Sequence, residues 1–301
     1  MDNPQKILTV FTPTYNRAYC LPQCYEGMKT QTCRDFIWMI IDDGSTDGTK
    51  ELAAGWQAEG LVEIVYVYQR NQGMHGAHNT AYENIKTLLN TCIDSDDYMP
   101  PDAVQKIVEF WQLNGGDKYS GIAALDCDAD GNVIGTELPD NIKSSRYFDL
   151  YHKHKVRGDK KLIYRSELTR EYPYPIFEGE KYVGLACKYT KIDINYEMLI
   201  LNQPVCCVEY MLDGSSNNMM KSYVNNPRGF AYIRREAMAL PMGGFSHKFQ
   251  QAVHYVSSSI FAKDADFLRN SPKKLTTLLA LPFGMLLNIY IRFKARQGRI
   301  R

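Results

Sequence analysis

Three carboxylates fall within four residues at Asp94-Ser95-Asp96-Asp97. Directly behind the apolar run Thr91–Ile93, such like charges repel unless a cation sits among them. Hard oxygen donors favour Mg²⁺ or Mn²⁺, which complete their shells with phosphate oxygens and water when only one or two carboxylates bind. The same acids have a plainer use, capping the helix expected after Pro100-Pro101. A second acidic run, Asp42-Asp43-Gly44-Ser45-Thr46-Asp47, ends another apolar segment. Capping by Ser45 or Thr46 accounts for its second half. It does not account for Asp42 and Asp43, whose place suits acceptance from a ribose hydroxyl or a base N–H. Neither GxxxxGK[ST] nor a GxGxxG after a strand occurs, so kinase and dehydrogenase readings lose their usual support and phosphates held through a metal are favoured.

These acids sit where an alternating pattern would put them. Short apolar runs at Leu8–Thr12, Ile37–Ile41, Val62–Tyr68 and Thr91–Ile93 predict strands. Longer patterns at Leu21–Thr30, Thr46–Glu59, Ala77–Leu89 and Ala103–Leu113 predict helices between and after them. That is the pattern of βαβ units and a mostly parallel sheet flanked by helices, whose ligands lie beyond the carboxyl ends of the strands. From Gly121 the pattern becomes strand pairs (Gly121–Leu125, Val133–Thr136, Ile192–Leu201, Pro204–Val208), then helices from about Asn218. With a seam at Asn114-Gly115-Gly116, the expected organisation is one half at residues 1–115, a second half of the same domain at 116–215 and a helical C-terminal region at 216–301.

Taken in order, Thr12-Pro13-Thr14-Tyr15-Asn16-Arg17, then Asp42 to Asp47, then Asn71-Gln72-Gly73 with Asn79, and finally Ile93 to Asp97 resemble the successive motifs of the family 2 glycosyltransferases with the GT-A (Rossmann-like) fold. The likeness covers roughly residues 6 to 115 and is specific as a set. It implies an inverting transferase using a nucleoside diphosphate sugar, UDP-linked, on a glycan or polyprenyl-linked acceptor of bacterial surface polysaccharide synthesis. Pro13, Thr14 and Tyr15, followed by Arg17, would line the base pocket. Asp43, beside Asp42, would accept from the base N–H, and Arg70 and Asn79 would lie at nucleotide-contacting positions. Asp94 and Ser95 would face the ribose and donor sugar, and Asp96, with Asp94, would hold Mn²⁺ or Mg²⁺. The base would come from Phe177-Glu178-Gly179-Glu180-Lys181-Tyr182. The family's acidic pair is altered there, since Lys181 follows Glu180, so Glu180 or else Glu178 must serve. Both glutamates also have the alternative of capping the next helix.

Other motifs read more plainly. Lys160, Lys161 and Arg165 could meet a diphosphate, but a solvated basic face accounts for them first. Asp126 to Glu137 satisfies the EF-hand pattern, yet no helix flanks it, and Asp128–Asn132 reads as a hairpin turn. His75 and His78 suit either a donor-sugar contact or a solvated loop. The eight cysteines show no CxxC pair and read as reduced thiols, and no secretory leader precedes Ile7, so a cytoplasmic protein is expected. Residues 1–266 carry 27 basic and 34 acidic side chains, whereas residues 267–301 carry eight basic and none acidic. Leu278–Ile291 within that tail is almost wholly apolar but short for a span and interrupted by Pro282 and Gly284. A helix lying on an anionic membrane surface, through residues 273–301, at the cytoplasmic face of the inner membrane, is expected. The alternative is packing on the protein's own core or in a homodimer. No nucleic-acid partner is expected. Two competing functions are a sugar nucleotidyltransferase, for which the first strand lacks its glycine-rich loop, and a silent nucleotide-sugar binder.

Overall fold

The computed structural model describes residues 6–209 and 219–297. The expected boundary at 215/216, residues 1–5 and the last four residues of the basic tail lie outside them. Two compact units are present, one of residues 6–173 and 195–209, the other of residues 174–194 and 219–297.

The first unit is an eight-stranded sheet. Its strands are β1 (Leu8–Thr14), β2 (Phe36–Asp42), β3 (Ile64–Tyr68), β4 (Leu89–Cys92), β5 (Tyr119–Cys127), β6 (Ser144–Ser145), β7 (Lys160–Arg165) and β8 (Glu197–Cys207), in the order β3-β2-β1-β4-β7-β5-β8-β6. β1 to β4 run parallel, β5 pairs parallel with β8, and β7 is antiparallel to both β4 and β5. The helices α1 (Leu21–Lys29), α2 (Thr49–Glu59) and α4 (Ala103–Asn114) share one apolar cluster with the sheet, in which the rings of Tyr25, Trp38 and Trp56 pack against one another. On another part of the sheet α3 (Met74–Asn84) sets His78 and Tyr82 edge-on against Phe11, and two short helices, α5 (Tyr147–His152) and α6 (Ser166–Glu171), complete the unit.

Several expectations need correction. Lys160, Lys161 and Arg165 do not form a solvated face, because they lie on a central strand. The Lys160 ammonium donates to the carbonyls of Ile134, Arg157 and Asp159 at 2.8–3.0 Å, and Arg165 pairs with Glu167 at 2.7 Å, so each buried charge has partners. Ile192–Leu201 and Pro204–Val208 are not two strands. Ile192 ends α7 (Ala186–Ile192), and Pro204 sits at a register irregularity within the single strand β8, where its missing N–H is tolerated. Val133–Thr136 keeps only an isolated bridge from Val133 to Cys127. The turn before it is as expected: the Asp128 carboxylate accepts from the N–H groups of Asp130 and Asn132. Strands from both sides of residues 114–116 belong to the one sheet.

The second unit holds α7 with the helices α8 (Met219–Asn225), α9 (Pro227–Ala239), α10 (Phe245–Ala262), α11 (Phe267–Asn270) and α12 (Lys274–Gln297). Neither Pro282 nor Gly284 interrupts α12, which is long and apolar enough, by length and composition, to cross a membrane. One seam of it packs inside the unit. Thr277, Ala280, Gly284, Asn288 and Ile291 are buried, and a Cβ on Gly284 would lie 2.5 Å from the Val256 side chain, so only glycine permits that approach. The remaining circumference exposes Leu278, Leu279, Phe283, Leu286, Ile289 and Phe293.

Candidate active site

Two strand ends carry the acids, and the protein treats them differently. At the end of β2, Asp42 and Asp43 are both buried. Asp42 accepts from the Ser45 N–H at 2.7 Å and from the Tyr66 hydroxyl at 2.5 Å. Asp43 accepts from Gln69 Nε2 at 2.6 Å and from the N–H groups of Gln72 and Gly73, each at 2.8 Å. These carboxylates fix the loops after β2 and β3. Gly44 makes the crossing between them possible: its φ is +88°, and a Cβ there would lie 2.9 Å from the Asn71 nitrogen. The caps assigned to Ser45 and Thr46 move to Asp47, whose Oδ1 accepts from the Thr49 N–H and hydroxyl at the start of α2.

The loop after β1 is tied to that turn. The Asn16 N–H donates to Ser45 Oγ, its Oδ1 accepts from the Thr46 N–H, and the Ala18 N–H donates to Asp47, all at 2.8–2.9 Å. Asn16 takes a left-handed φ of +52° there. Pro13 falls beyond the reach of the shorter strand β4, where its missing N–H costs no ladder bond. Thr14 Oγ1 is buried without a hydrogen-bond partner among the described residues, while Tyr15 beside it is half-exposed. A buried orphan hydroxyl next to an open ring is a place for a ligand's polar group and its flat face. Arg70 is exposed after β3, and Asn79 is half-buried on α3.

At the end of β4 the acids meet cations. Arg17 Nη1 lies 2.7 Å from Asp96 Oδ2, with side chains 23% and 15% exposed. From β7, Lys161 reaches the Cys92 carbonyl at 3.4 Å and Asp126 Oδ1 at 3.9 Å. Burial works against the Lys161 ammonium, but Cys206, Asp126, Asp97 and Asp94 outweigh it and hold its pKa well above the usual value. Asp94 is reached by solvent, yet burial raises its pKa, with Asp96 adding to the rise and Lys161 and Arg17 opposing it. Burial likewise pushes buried Asp97 up to about 7, against Lys161 and with Asp94 and Asp96. Asp97 accepts from the Glu209 N–H at 3.2 Å, and Ser95 is buried against Cys20.

Capping does not explain this cluster. Asp102 is the N-cap residue of α4, and the acceptor for the Val104 N–H is Gln31, from outside the helix. Among the described residues no group of three or more His, Cys, Asp or Glu side chains is placed to hold a metal ion by itself. Asp94 and Asp96 still fit Mg²⁺ or Mn²⁺ of the kind that takes its other ligands from a diphosphate and water, because both are hard oxygen donors that solvent reaches. His75 and His78 are core residues and not part of a solvated loop. They are buried in α3, where His78 meets the Tyr82 hydroxyl at 3.1 Å and Cys92 Sγ at 3.6 Å. Lys161 is the residue that sequence reasoning undervalued. Its signal was the central apolar pair Leu162-Ile163, which marks a buried strand carrying a lysine.

In the second unit Glu180 is buried at the start of α9. Its Oε1 accepts from the N–H and Nε of Arg228 at 3.0 and 2.9 Å, and Oε2 from the Gly229 N–H at 2.8 Å. An acid at that helix terminus is doing the work of a cap. Glu178 is exposed.

The family profile described as Glycosyl transferase family 2 matches residues 9–172. Glycosyltransferase GlyA of Streptococcus pneumoniae is 35% identical over 107 residues, covering 34% of this chain and 15% of that protein. The curated relatives are matched over only 15% to 44% of their own lengths. Among solved structures, S. aureus TarS residues 1–349 in complex with UDP-GlcNAc superposes with a TM-score of 0.66 at 15% identity, over 97% of this chain and 92% of that one. A mannosyltransferase from Pyrobaculum calidifontis in complex with GDP-Man and Mn²⁺ gives a TM-score of 0.55 at 17% identity, over 94% and 87%. The fold is GT-A, with a C-terminal helical part.

Proposed function

Because this chain belongs to glycosyl transferase family 2, we propose that it transfers a sugar, with inversion, from a UDP-sugar to a hydroxyl of a glycan or polyprenyl-linked acceptor in cell-surface polysaccharide synthesis. The observation that carries the reading is the end of β4, where Asp94 and Asp96 stand beside the cations Arg17 and Lys161. The UDP part leans on the ligand bound by TarS, and the metal part on the Mn²⁺ bound by the mannosyltransferase.

In this reading Thr14 and Tyr15 receive the base, and Asp94 takes the ribose and donor sugar. Asp96, with Asp94, holds Mn²⁺ or Mg²⁺, which when bound neutralises the charge growing on the leaving diphosphate. Lys161 keeps neighbouring Asp97 and Asp126 from adding their full repulsion to the leaving group. A carboxylate must deprotonate the acceptor hydroxyl as it attacks. Glu178 suits that task because it is exposed, whereas Glu180 gives both oxygens to the start of α9. The exposed apolar face of α12, with Lys273 and Lys274 before it and Arg292, Lys294 and Arg296 at its other end, suits an anionic membrane surface on the cytoplasmic side, where a polyprenyl-linked acceptor would be met.

The test is a panel of nucleotide sugars scored for Mn²⁺-dependent release of the nucleotide. UDP-sugars are expected to give the signal, and Asp96→Ala to abolish it. Full activity in Asp96→Ala, and in Glu178→Gln and Glu180→Gln alike, would overturn the reading. Co-sedimentation with anionic rather than neutral vesicles tests the membrane part.

A further inference from the structure

Arg17 and a divalent metal want the same oxygens. The guanidinium reaches Asp96 Oδ2 at 2.7 Å from a loop held by the Asn16, Ser45 and Thr46 contacts, so it is aimed at Asp96 by bonds that do not involve Asp96. The ion pair is more than three-quarters withdrawn from solvent on both sides, which strengthens it over a surface pair. Burial works against Arg17's charge, and Asp96 more than restores it. Lys161 cannot substitute for it, being engaged with Cys92 and Asp126.

We propose that Arg17 is an exchangeable counter-ion: it holds Asp96 while no metal is bound, and turns to the donor's diphosphate when Asp96 becomes a metal ligand. This rests on the metal-dependent reading above. The chemistry is one of partners only, with no bond made or broken. An ion arriving alone draws the Asp96 carboxylate away from Arg17, and nothing it brings replaces that contact. An ion arriving with a diphosphate leaves Arg17 a better partner, because a guanidinium matches phosphate oxygens with paired N–H donors. Metal and nucleotide must therefore help each other bind, by one and the same factor in either order. Arg17 would be a positioning residue that makes the site select metal and diphosphate together over metal alone.

The test is Mn²⁺ binding followed by the loss of free-Mn²⁺ signal in electron paramagnetic resonance, with and without UDP, and needs no turnover. In the wild type, UDP should tighten Mn²⁺ binding. In Arg17→Met, Mn²⁺ alone should bind about fivefold more tightly than to wild type, the worth of a partly buried pair. UDP should then bind more weakly, and its help to Mn²⁺ should shrink. Arg17→Gln, which keeps polarity without charge, should behave the same way and guards against a folding defect in the first variant. A merely structural arginine would loosen both ligands, and equal or weaker Mn²⁺ binding in both variants overturns the exchange while leaving the metal reading intact. Absence of Mn²⁺ binding by the wild type, with UDP present, overturns both.

Discussion

The acids after β2 and the acids after β4 look alike in sequence, yet they are satisfied by different chemistry. Asp42 and Asp43 take neutral N–H and O–H donors fixed to the backbone or to buried side chains. Asp94, Asp96 and Asp97 are balanced by Arg17 and Lys161, charges at the ends of long side chains. A hydrogen bond from the backbone cannot leave without unmaking a loop, whereas an ammonium or guanidinium can give way to another cation. The first cluster is therefore bound into the loops it ties together, and the second is held by charges that can give way.

Substitutions should separate the two. The largest effect expected is on activity: Asp96→Ala should cut nucleotide release by about 10²–10³-fold while moving the urea midpoint less than Asp43→Ala does, since what it loses is the ion pair to Arg17. A large loss of stability there would erase the distinction. Asp43→Ala should do the reverse, destabilising the fold by roughly 2–3 kcal/mol in urea unfolding, because two backbone N–H groups and an amide lose a buried charged acceptor. An equally stable variant would show that the loops hold without it. The second unit offers a parallel case. Glu180→Gln should cost about 1–2 kcal/mol through the weakened start of α9, whereas Glu178→Gln should lower kcat and leave stability unchanged.

The smallest effect is one of pH. Lys188 is buried, its Nζ 4.5 Å from the centre of the Tyr174 ring, and burial brings its pKa down to about 7 against the opposing pull of Cys187. The unfolded chain keeps its proton until about pH 10. Between pH 7 and about 10 the unfolded state thus binds a proton that the folded state does not, and this residue makes stability rise with pH, with no further change below 7. The difference between wild type and Lys188→Met in chemical unfolding should show that slope. A flat difference would mean that the ammonium stays charged where it lies.

The donor half of the fold was legible because its signals are local. β1 to β4 each end in a polar run, and the helices between them have ordinary lengths, so alternation alone places Asp43 and Asp94 at strand ends. What could not be read was pairing across distance. β7 begins with two lysines and ends in an arginine, which reads as surface until the strand is placed between β4 and β5, where carbonyls and carboxylates surround those charges. α3 begins three residues earlier than the expected Ala77, which brings His75 into the helix, and both His75 and His78 fall on its buried face, which no local signal marked. Glu180 shows a third limit. Its spacing fits a base and a cap equally, and only the Arg228 and Gly229 N–H groups, 48 and 49 residues away, show which demand its oxygens meet. The span of α12 was underestimated because proline and glycine stop helices by propensity, and packing against α10 overrides that.

The position of β7 also governs the order in which the molecule can be assembled. β4 and β5 follow one another along the chain but never pair, and the gap between them closes only when a segment some 74 residues beyond β4 returns to fill it. Until then the acids after β4 face one another without Lys161, so a nascent chain ending before Lys160 carries the recognition motifs without the charge balance that makes them a site.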